Sequence, residues 1–412
     1  MPATPPSAEA ARERARWAAL GWLALTTLLA MSTWFSGTAV VRSLRSEWAL
    51  SASEAAWLTI AVQLGFVAGA LLSAVTNLLD IAPARPVLVV SAFASAIANA
   101  AFAAAPDAAW GLPLRFLTGV FLAGVYPTGL KLMATWFRED RGRALGIMVG
   151  SLTLGSAAPH LVRSLGMFAW RDVVLATSWL TLAGGLVGWL AVREGPFPFP
   201  RARFDPKQAG LVLHDRGVRL ACIGYFGHMW ELYAMWGWIA VFLADVFTER
   251  GTGGEPAAAA WTAAVIAAGF AGSWWAGAYS DRFGRTRSAA LALAVSGACA
   301  LVIGPLASFA PVWLVMAVAL VWGASVVADS AQFSTMITEL ADPAYVGTAL
   351  TLQLALGFTL TVATLWLVPV LRELGGWSAA FILLVPGPVV GLAAMLRLKA
   401  LPEAARLAGG RG

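Results

Sequence analysis

The sequence predicts an all-α integral membrane protein, with twelve transmembrane helices in two pseudo-symmetric six-helix bundles. Three observations lead there. The 412 residues are 59% hydrophobic and only 12% charged, whereas a soluble chain carries about 25% charged residues. Twelve apolar runs are long enough, or nearly so, to cross a bilayer. Small motifs of the first half recur in order in the second.

A hydrocarbon core of roughly 30 Å takes about 20 residues of helix. Runs approaching or exceeding that length lie at 17–41, 55–76, 86–104, 108–135, 144–162 and 173–192, and again at 220–244, 257–279, 288–308, 311–337, 347–371 and 377–396. Between the sixth and seventh runs, Pro196, Pro198, Pro200 and Pro206 alternate with Arg201, Arg203, Lys207 and Arg216, the composition of a solvated linker. The expected organisation is an N-terminal bundle over 1–192, a cytoplasmic linker over 193–219, a C-terminal bundle over 220–400 and a cytoplasmic tail over 401–412.

Orientation follows from the basic residues. With the amino terminus inside, 20 Lys and Arg fall in cytoplasmic segments, 6 on the opposite side, and Arg115 and Lys131 within the fourth run. Basic residues collect on the cytoplasmic side, so both termini are expected there, in the plasma (inner) membrane. The first apolar run lacks a cleavage site behind a short apolar core, so it reads as a span and not as a signal peptide.

The repeat is carried by modest matches in constant order. Gly142-Arg143-Ala144-Leu145 before span five parallels Gly347-Thr348-Ala349-Leu350 before span eleven. Pro159-His160-Leu161 parallels Pro369-Val370-Leu371, and Trp170 parallels Trp377. Membrane proteins built from two such halves place a solute site near the bilayer midplane between them.

Several classes are excluded or disfavoured. The net charge of +6 reflects cytoplasmic loops rather than a nucleic-acid footprint. Cys222 and Cys299 offer neither a disulfide framework nor metal-ligand spacing. No phosphate-binding Walker loop or His-Glu-x-x-His motif occurs, so no metal or cofactor is expected. A polytopic enzyme would need catalytic groups converging at one interface; the ionisable residues are scattered and match no catalytic motif.

Gly277-Ala-Tyr-Ser-Asp281-Arg282-Phe-Gly284-Arg285, after span eight, resembles the loop signature of the major facilitator superfamily. A degraded first copy follows span two, keeping Gly69, Asp80 and Arg85. Arg115-x-x-x-Gly119-x-x-x-x-Gly124 is similar to that family's intramembrane arginine motif. The resemblance covers essentially the whole chain and implies alternating-access secondary transport. It also implies a cytoplasmic gate fastened by Asp281 facing a helix N-terminus, where a carboxylate is favoured, with Arg282 and Arg285 bridging to neighbours and Asp80 and Arg85 as the weaker copy. Span five keeps Gly146, Gly150, Gly155 and Pro159 but lacks the closing Gly-Pro-x-x-Gly-Gly of family antiporters, which tilts the reading away from antiport.

Six ionisable residues fall inside spans: Arg115, Lys131, His160, His228, Glu231 and Asp329. A mid-membrane charge costs at least about 2.5–3.5 kcal/mol, so each requires a reason. At 1.5 Å per residue, Glu231 lies roughly 18 Å into span seven. His228 is one turn away on the same face, and the two are expected to form the proton-coupling pair. Arg115, Asp329, Trp34, Gln63, Trp230, Tyr233 and Gln353 are the candidate solute-binding residues. For Arg115, Asp329 and the two glutamines, structural pairing between helices is the competing role. Lys131 reads as a snorkelling side chain and His160 as structural.

The resulting expectation is a proton-coupled transporter of a small organic acid or polar metabolite, with Arg115 as its counter-charge. The alternative is an antiporter expelling lipophilic cations, with Glu231 and the aromatics of span seven forming the site. Expected partners are the solute, protons and the lipid bilayer, with no nucleic acid, and a monomer is the favoured state.

Overall fold

The computed structural model describes residues 8–166, 168–198, 205–342 and 345–412, and all regular structure within them is helical. The first half comprises α1 (Ala8–Ala30), α2 (Ala52–Val75), α3 (Ala84–Ala103), α4 (Ala108–Leu122), α5 (Tyr126–Ala134), α6 (Arg141–Ser164) and α7 (Trp170–Ala191). The second comprises α8 (Arg216–Glu249), α9 (Glu255–Phe283), α10 (Arg285–Phe309), α11 (Val312–Ala328), α12 (Ser330–Leu340), α13 (Val346–Ile382) and α14 (Pro386–Lys399).

Helix starts follow local chemistry. Ser51 and Glu54 form a reciprocal cap on α2, with bonds of 2.8 and 3.2 Å. Asp107 accepts from the Trp110 amide at the start of α4, and Asp215 from the Val218 amide at the start of α8. That cap starts α8 at Arg216, four residues before the apolar run. Gly284, at φ +102°, turns the chain between α9 and α10.

Ten helical stretches among the described residues are long and apolar enough to cross a membrane. The twelve apolar runs of the sequence meet this number differently at two places. α1 is outside the ten, because its apolar part begins at Trp17 and the helix stops at Ala30. Val346–Lys399 forms one stretch of 54 residues, although Gly375 and Gly376 depart from helical geometry within it. The outward faces are apolar: Ile81, Trp110, Trp179, Phe309 and Leu374 are all at least 66% exposed. Large exposed apolar side chains on this scale fit a lipid environment, and the protein is an integral membrane protein.

Several apolar runs are not single helices. The first gives way after Ala30 to a 3-10 turn at Met31–Thr33, then short helices at Ser36–Ala39 and Val41–Glu47. The fourth is interrupted between Leu122 and Tyr126, and the tenth at Asp329. A further break, at Leu383–Val385, separates α13 from α14.

Within the first half α2 packs on α4 and α3 on α7; within the second α9 packs on α11 and α8 on α13 and α14. The halves meet through α6 against α9 and α2 against α13. Two glycine pairs bring backbones together in matching fashion. A Cβ on Gly65 or Gly119 would strike the Phe116 or Val62 carbonyl across the α2–α4 contact, and one on Gly272 or Gly323 the Ala324 or Val265 carbonyl across α9–α11. Small residues permit this approach in membranes.

Gly119→Val and Gly323→Val are therefore expected to lower the melting temperature of the detergent-purified protein, overpacking costing about 1–3 kcal/mol or more against immobile backbone. Gly21→Val, facing open space, should leave it unchanged. Equal melting of all three would refute the close-contact assignment.

Candidate functional site

A cavity of about 860 Å³ opens between the two halves, lined by α2, α5 and α6 from one and by α8, α9, α10, α12 and α13 from the other. Its mouth carries Asp281, Arg285 and Glu339, and Tyr225 and Gln353 are among the residues lining its interior. Arg285 donates to Asp281 Oδ1 at 2.9 Å and to Glu339 Oε1 at 3.2 Å. The Asp281 carboxylate packs directly on Gly142 in the first turn of α6, leaving no room for a side chain there. Glu339 also accepts from the Ala408 amide at 3.0 Å, tying the C-terminal segment to the same cluster.

A nest of buried rings joins the halves. Trp34 and Phe66 from the first half meet Tyr233 and Phe358 from the second, with centroids 4.8–5.9 Å apart. Phe35 packs edge-on against Trp236 at 5.6 Å. Several polar atoms among these helices have no hydrogen-bond partner among the described residues: both amide atoms of Gln63, Gln353 Nε2, and the indole nitrogens of Trp34 and Trp236.

At the opposite end of the helices, ion pairs bridge the halves. Asp245, near the end of α8, accepts from Arg372 at 2.6 Å, from Trp377 Nε1 at 3.0 Å and from Arg42. Arg163 pairs with Glu255 at 2.9 Å.

Arg115 is fully buried and donates to five neutral acceptors. They are the carbonyls of Leu58 (3.3 Å), Thr33 (3.0 Å) and Trp34 (2.5 Å), Ser36 Oγ (2.9 Å) and Asn99 Oδ1 (3.1 Å). The residue expected as solute counter-charge is thus placed within the first half. The guanidinium is absorbed by the break after α1, whose freed carbonyls it satisfies, and it does not line the cavity. Asn99 completes the knot by donating to the Val174 carbonyl at 3.0 Å and to Ser178 at 2.9 Å.

In the second half, the expected His228–Glu231 pair is replaced by two separate arrangements. Glu231 accepts from Trp322 Nε1 at 2.7 Å and from Ser296 Oγ at 2.8 Å. His228 places Nδ1 2.8 Å from Asp329 Oδ1 and Nε2 3.0 Å from Ser330 Oγ. The reason is the break at Asp329, which turns that carboxylate towards α8.

Other candidates divide similarly. Gln353 lines the cavity, whereas Trp34, Gln63 and Tyr233 are buried beyond its lining. Trp230 donates to the Leu383 carbonyl at 2.8 Å, at the break before α14, so it is not a cavity residue. Arg282 is exposed and lies over Phe283, and Arg85 donates to the Trp189 carbonyl in its own half; neither bridges the mouth. The side chain of Asp80 lies outside the described residues, as do Arg201 and Arg203 of the linker. Lys131 contacts the Leu79 carbonyl, and His160 is buried with Nε2 unpartnered. Sequence reasoning missed Asp245, which falls just past the end of an apolar run, and Asn99, Ser296 and Trp322, which carry no charge to single them out.

The chain is thus a helical membrane protein whose halves line a common cavity. The profile of the Major Facilitator Superfamily matches residues 22–248, and the chain belongs to that family, whose members are transporters and not enzymes. The niacin transporter NiaP of Acinetobacter baylyi is 28% identical over 131 residues, which is 29% of each chain, so the chain spans under a third of this relative's length. Among solved structures, a D-xylose-proton symporter superposes with a TM-score of 0.73 at 16% identity, covering 95% of this chain and 99% of the other. The proton:xylose symporter XylE bound to 6-bromo-6-deoxy-D-glucose gives 0.71 at 15% identity, covering 94% and 95%. At these identities the likeness concerns the fold.

Arg115→Ala should destabilise the protein by about 2 kcal/mol or more, since buried acceptors left unpaired cost about 1–3 kcal/mol each. Arg115→Lys should not rescue it, because one ammonium lacks the fork that reaches dispersed carbonyls. Melting temperatures of the two variants check this. Asp245→Asn should raise thiol labelling of a cysteine at Leu50 by no more than about fivefold, as partly exposed ion pairs contribute about 0–1 kcal/mol. A change of a hundredfold would contradict that ranking.

Proposed function

We propose that the protein is a proton-coupled secondary transporter carrying a small polar organic solute by alternating access. Residues 1–192 and 220–400 act as two six-helix bundles, rocking about a central site. Twelve spans are reached from the ten apolar stretches by counting the first helix with its broken continuation and dividing Val346–Lys399 at Gly375–Gly376. Basic-residue bias supports cytoplasmic termini in the plasma membrane, which makes the cavity mouth at Asp281–Arg285–Glu339 cytoplasmic and the Asp245 bridge external. The described conformation is then inward-facing. The solute and protons are the partners of this reading, with a monomer sufficient for the cycle.

The observation that carries the solute reading is the set of unpartnered polar atoms on Trp34, Gln63, Trp236 and Gln353 among stacked rings. Buried polar groups are normally hydrogen-bonded, and a solute bearing acceptors and a flat or compact skeleton would pair with them. These four side chains offer donors and one carbonyl oxygen but no carboxylate, which favours an organic acid or neutral polar metabolite. Glu231 is engaged within its own half by Trp322 and Ser296, which weighs against direct capture of a lipophilic cation. The buried acids of the second half are the proton carriers in this reading.

Thermal unfolding of the purified protein against organic acids, neutral sugars and lipophilic cations, at pH 5.5 and 8, tests this. A ligand at 100 times its dissociation constant adds about 2.7 kcal/mol. Stabilisation by an acid or polar metabolite, lost in Gln63→Leu and Trp34→Ala, is the expected result. Stabilisation by cations alone, lost in Glu231→Gln, would replace the proposal with drug efflux.

A further inference from the structure

His228 and Asp329 are each 1–2% exposed, and the imidazole Nδ1 lies 2.8 Å from the carboxylate. Asp329 also stands at a junction: it ends α11 and immediately precedes α12. Its neighbour Ser330 opens α12 and holds the other imidazole nitrogen at 3.0 Å. The same helix carries Glu339 in its last turn, where it meets Arg285 of the mouth cluster and the Ala408 amide. One helix of eleven residues, about 16 Å long, therefore joins a buried acid–imidazole pair to the inner gate.

We infer that His228 and Asp329 form the proton-binding site and that α12 transmits its protonation state to the Arg285–Glu339–Asp281 latch. This rests on the reading of the protein as a proton-coupled transporter and assigns the site within it. It moves Asp329 from the solute to the proton. The step is a proton transfer only: the pair binds one proton and later releases it. The Asp329 carboxylate against the His228 imidazole ties the start of α12 to α8, and this holds the break closed. Neutralisation removes that attraction, lets α12 pivot at Asp329, and draws Glu339 away from Arg285.

Rings and a second acid surround the pair. Tyr225 and Phe333 flank the His228 ring at 6.0 and 5.6 Å. Glu231 on α8, one turn along from His228, is the other fully buried acid among the described residues and is held by Ser296 and Trp322. At the far end of α12 the charged groups are Asp281, Arg285, Arg141 and Arg411, which line the cavity with Glu339, together with Arg406, which contacts the Leu340 carbonyl. Solute is not required to move the equilibrium, so the protein can be tested alone.

Nitroxide labels at Ser73→Cys and Thr338→Cys, across the cavity mouth, report the opening by pulsed electron resonance between pH 5.5 and 8.5, with Cys222 and Cys299 replaced by Ser. In the otherwise native full-length chain the ratio of two distance populations should change with pH, by up to about tenfold per unit for one linked proton. Asp329→Asn should abolish the change, and Asp329→Glu should restore one with a displaced midpoint. If Asp329→Asn fails to fold, Ser330→Ala, which removes only the hydroxyl partner of Nε2, should displace the midpoint. A pH response retained in Asp329→Asn, or a midpoint unmoved in Ser330→Ala, overturns the assignment while leaving proton coupling intact. No response in the parent overturns the proton-coupled reading itself, and the assignment with it.

Discussion

A chain crossing an apolar layer has no water to satisfy a carbonyl that its own helix has released. Wherever one of these helices breaks, a side chain from elsewhere must take its place, and much of the buried polarity here answers that need. Thr33 and Trp34 surrender their carbonyls at the break after α1, and Arg115 of α4 collects both. The Leu383 carbonyl at the break before α14 is taken by Trp230 of α8. These ties fix where the broken segments point, and hence where Trp34 faces Tyr233.

The two halves bury groups of opposite charge. The first buries a cation among neutral acceptors, and the second buries two carboxylates with an imidazole. An arginine remains ionised under any accessible condition, so its knot is permanent and suits a fixed scaffold. Carboxylates and imidazoles can change charge, and both fully buried carboxylates among the described residues, Glu231 and Asp329, lie in the second half. The matching glycine contacts of α2–α4 and α9–α11 indicate a shared backbone plan. The difference between halves lies in which side chains were placed on that plan.

The apolar runs, the basic bias and the Asp281–Arg285 loop were legible in the sequence because each is a property of a segment. Glu231 and Arg115 were legible as buried charges because charge inside an apolar run needs a partner. Their partners were not legible. Spacing puts His228 and Glu231 on one face of α8, but the break at Asp329 brings a nearer acid to the imidazole, and no local signal marks that break. Asp245 was hidden for a related reason: standing just past an apolar run, it read as a loop residue, while Arg42 and Arg372 that meet it are distant in sequence.

What holds the Asp245 end together can be decided by magnitude. Asp245 and Arg42 are 16% and 39% exposed, and pairs of that kind contribute about 0–1 kcal/mol. Of the two arginines on Asp245, only Arg42 comes from the other half, so a single weak contact there crosses the junction. The ring nest is different in scale. An aromatic side chain buries about 150–250 Å², and at about 25 cal/mol per Å² even a few rings exposed to water would cost more than every ion pair at that end. Closure is therefore a property of Trp34, Phe66, Tyr233 and Phe358, with the ion pairs setting alignment. A solute able to slide between those rings would lower the cost of opening by replacing ring–ring contact with ring–solute contact, which makes the closing element and the recognising element the same set of side chains.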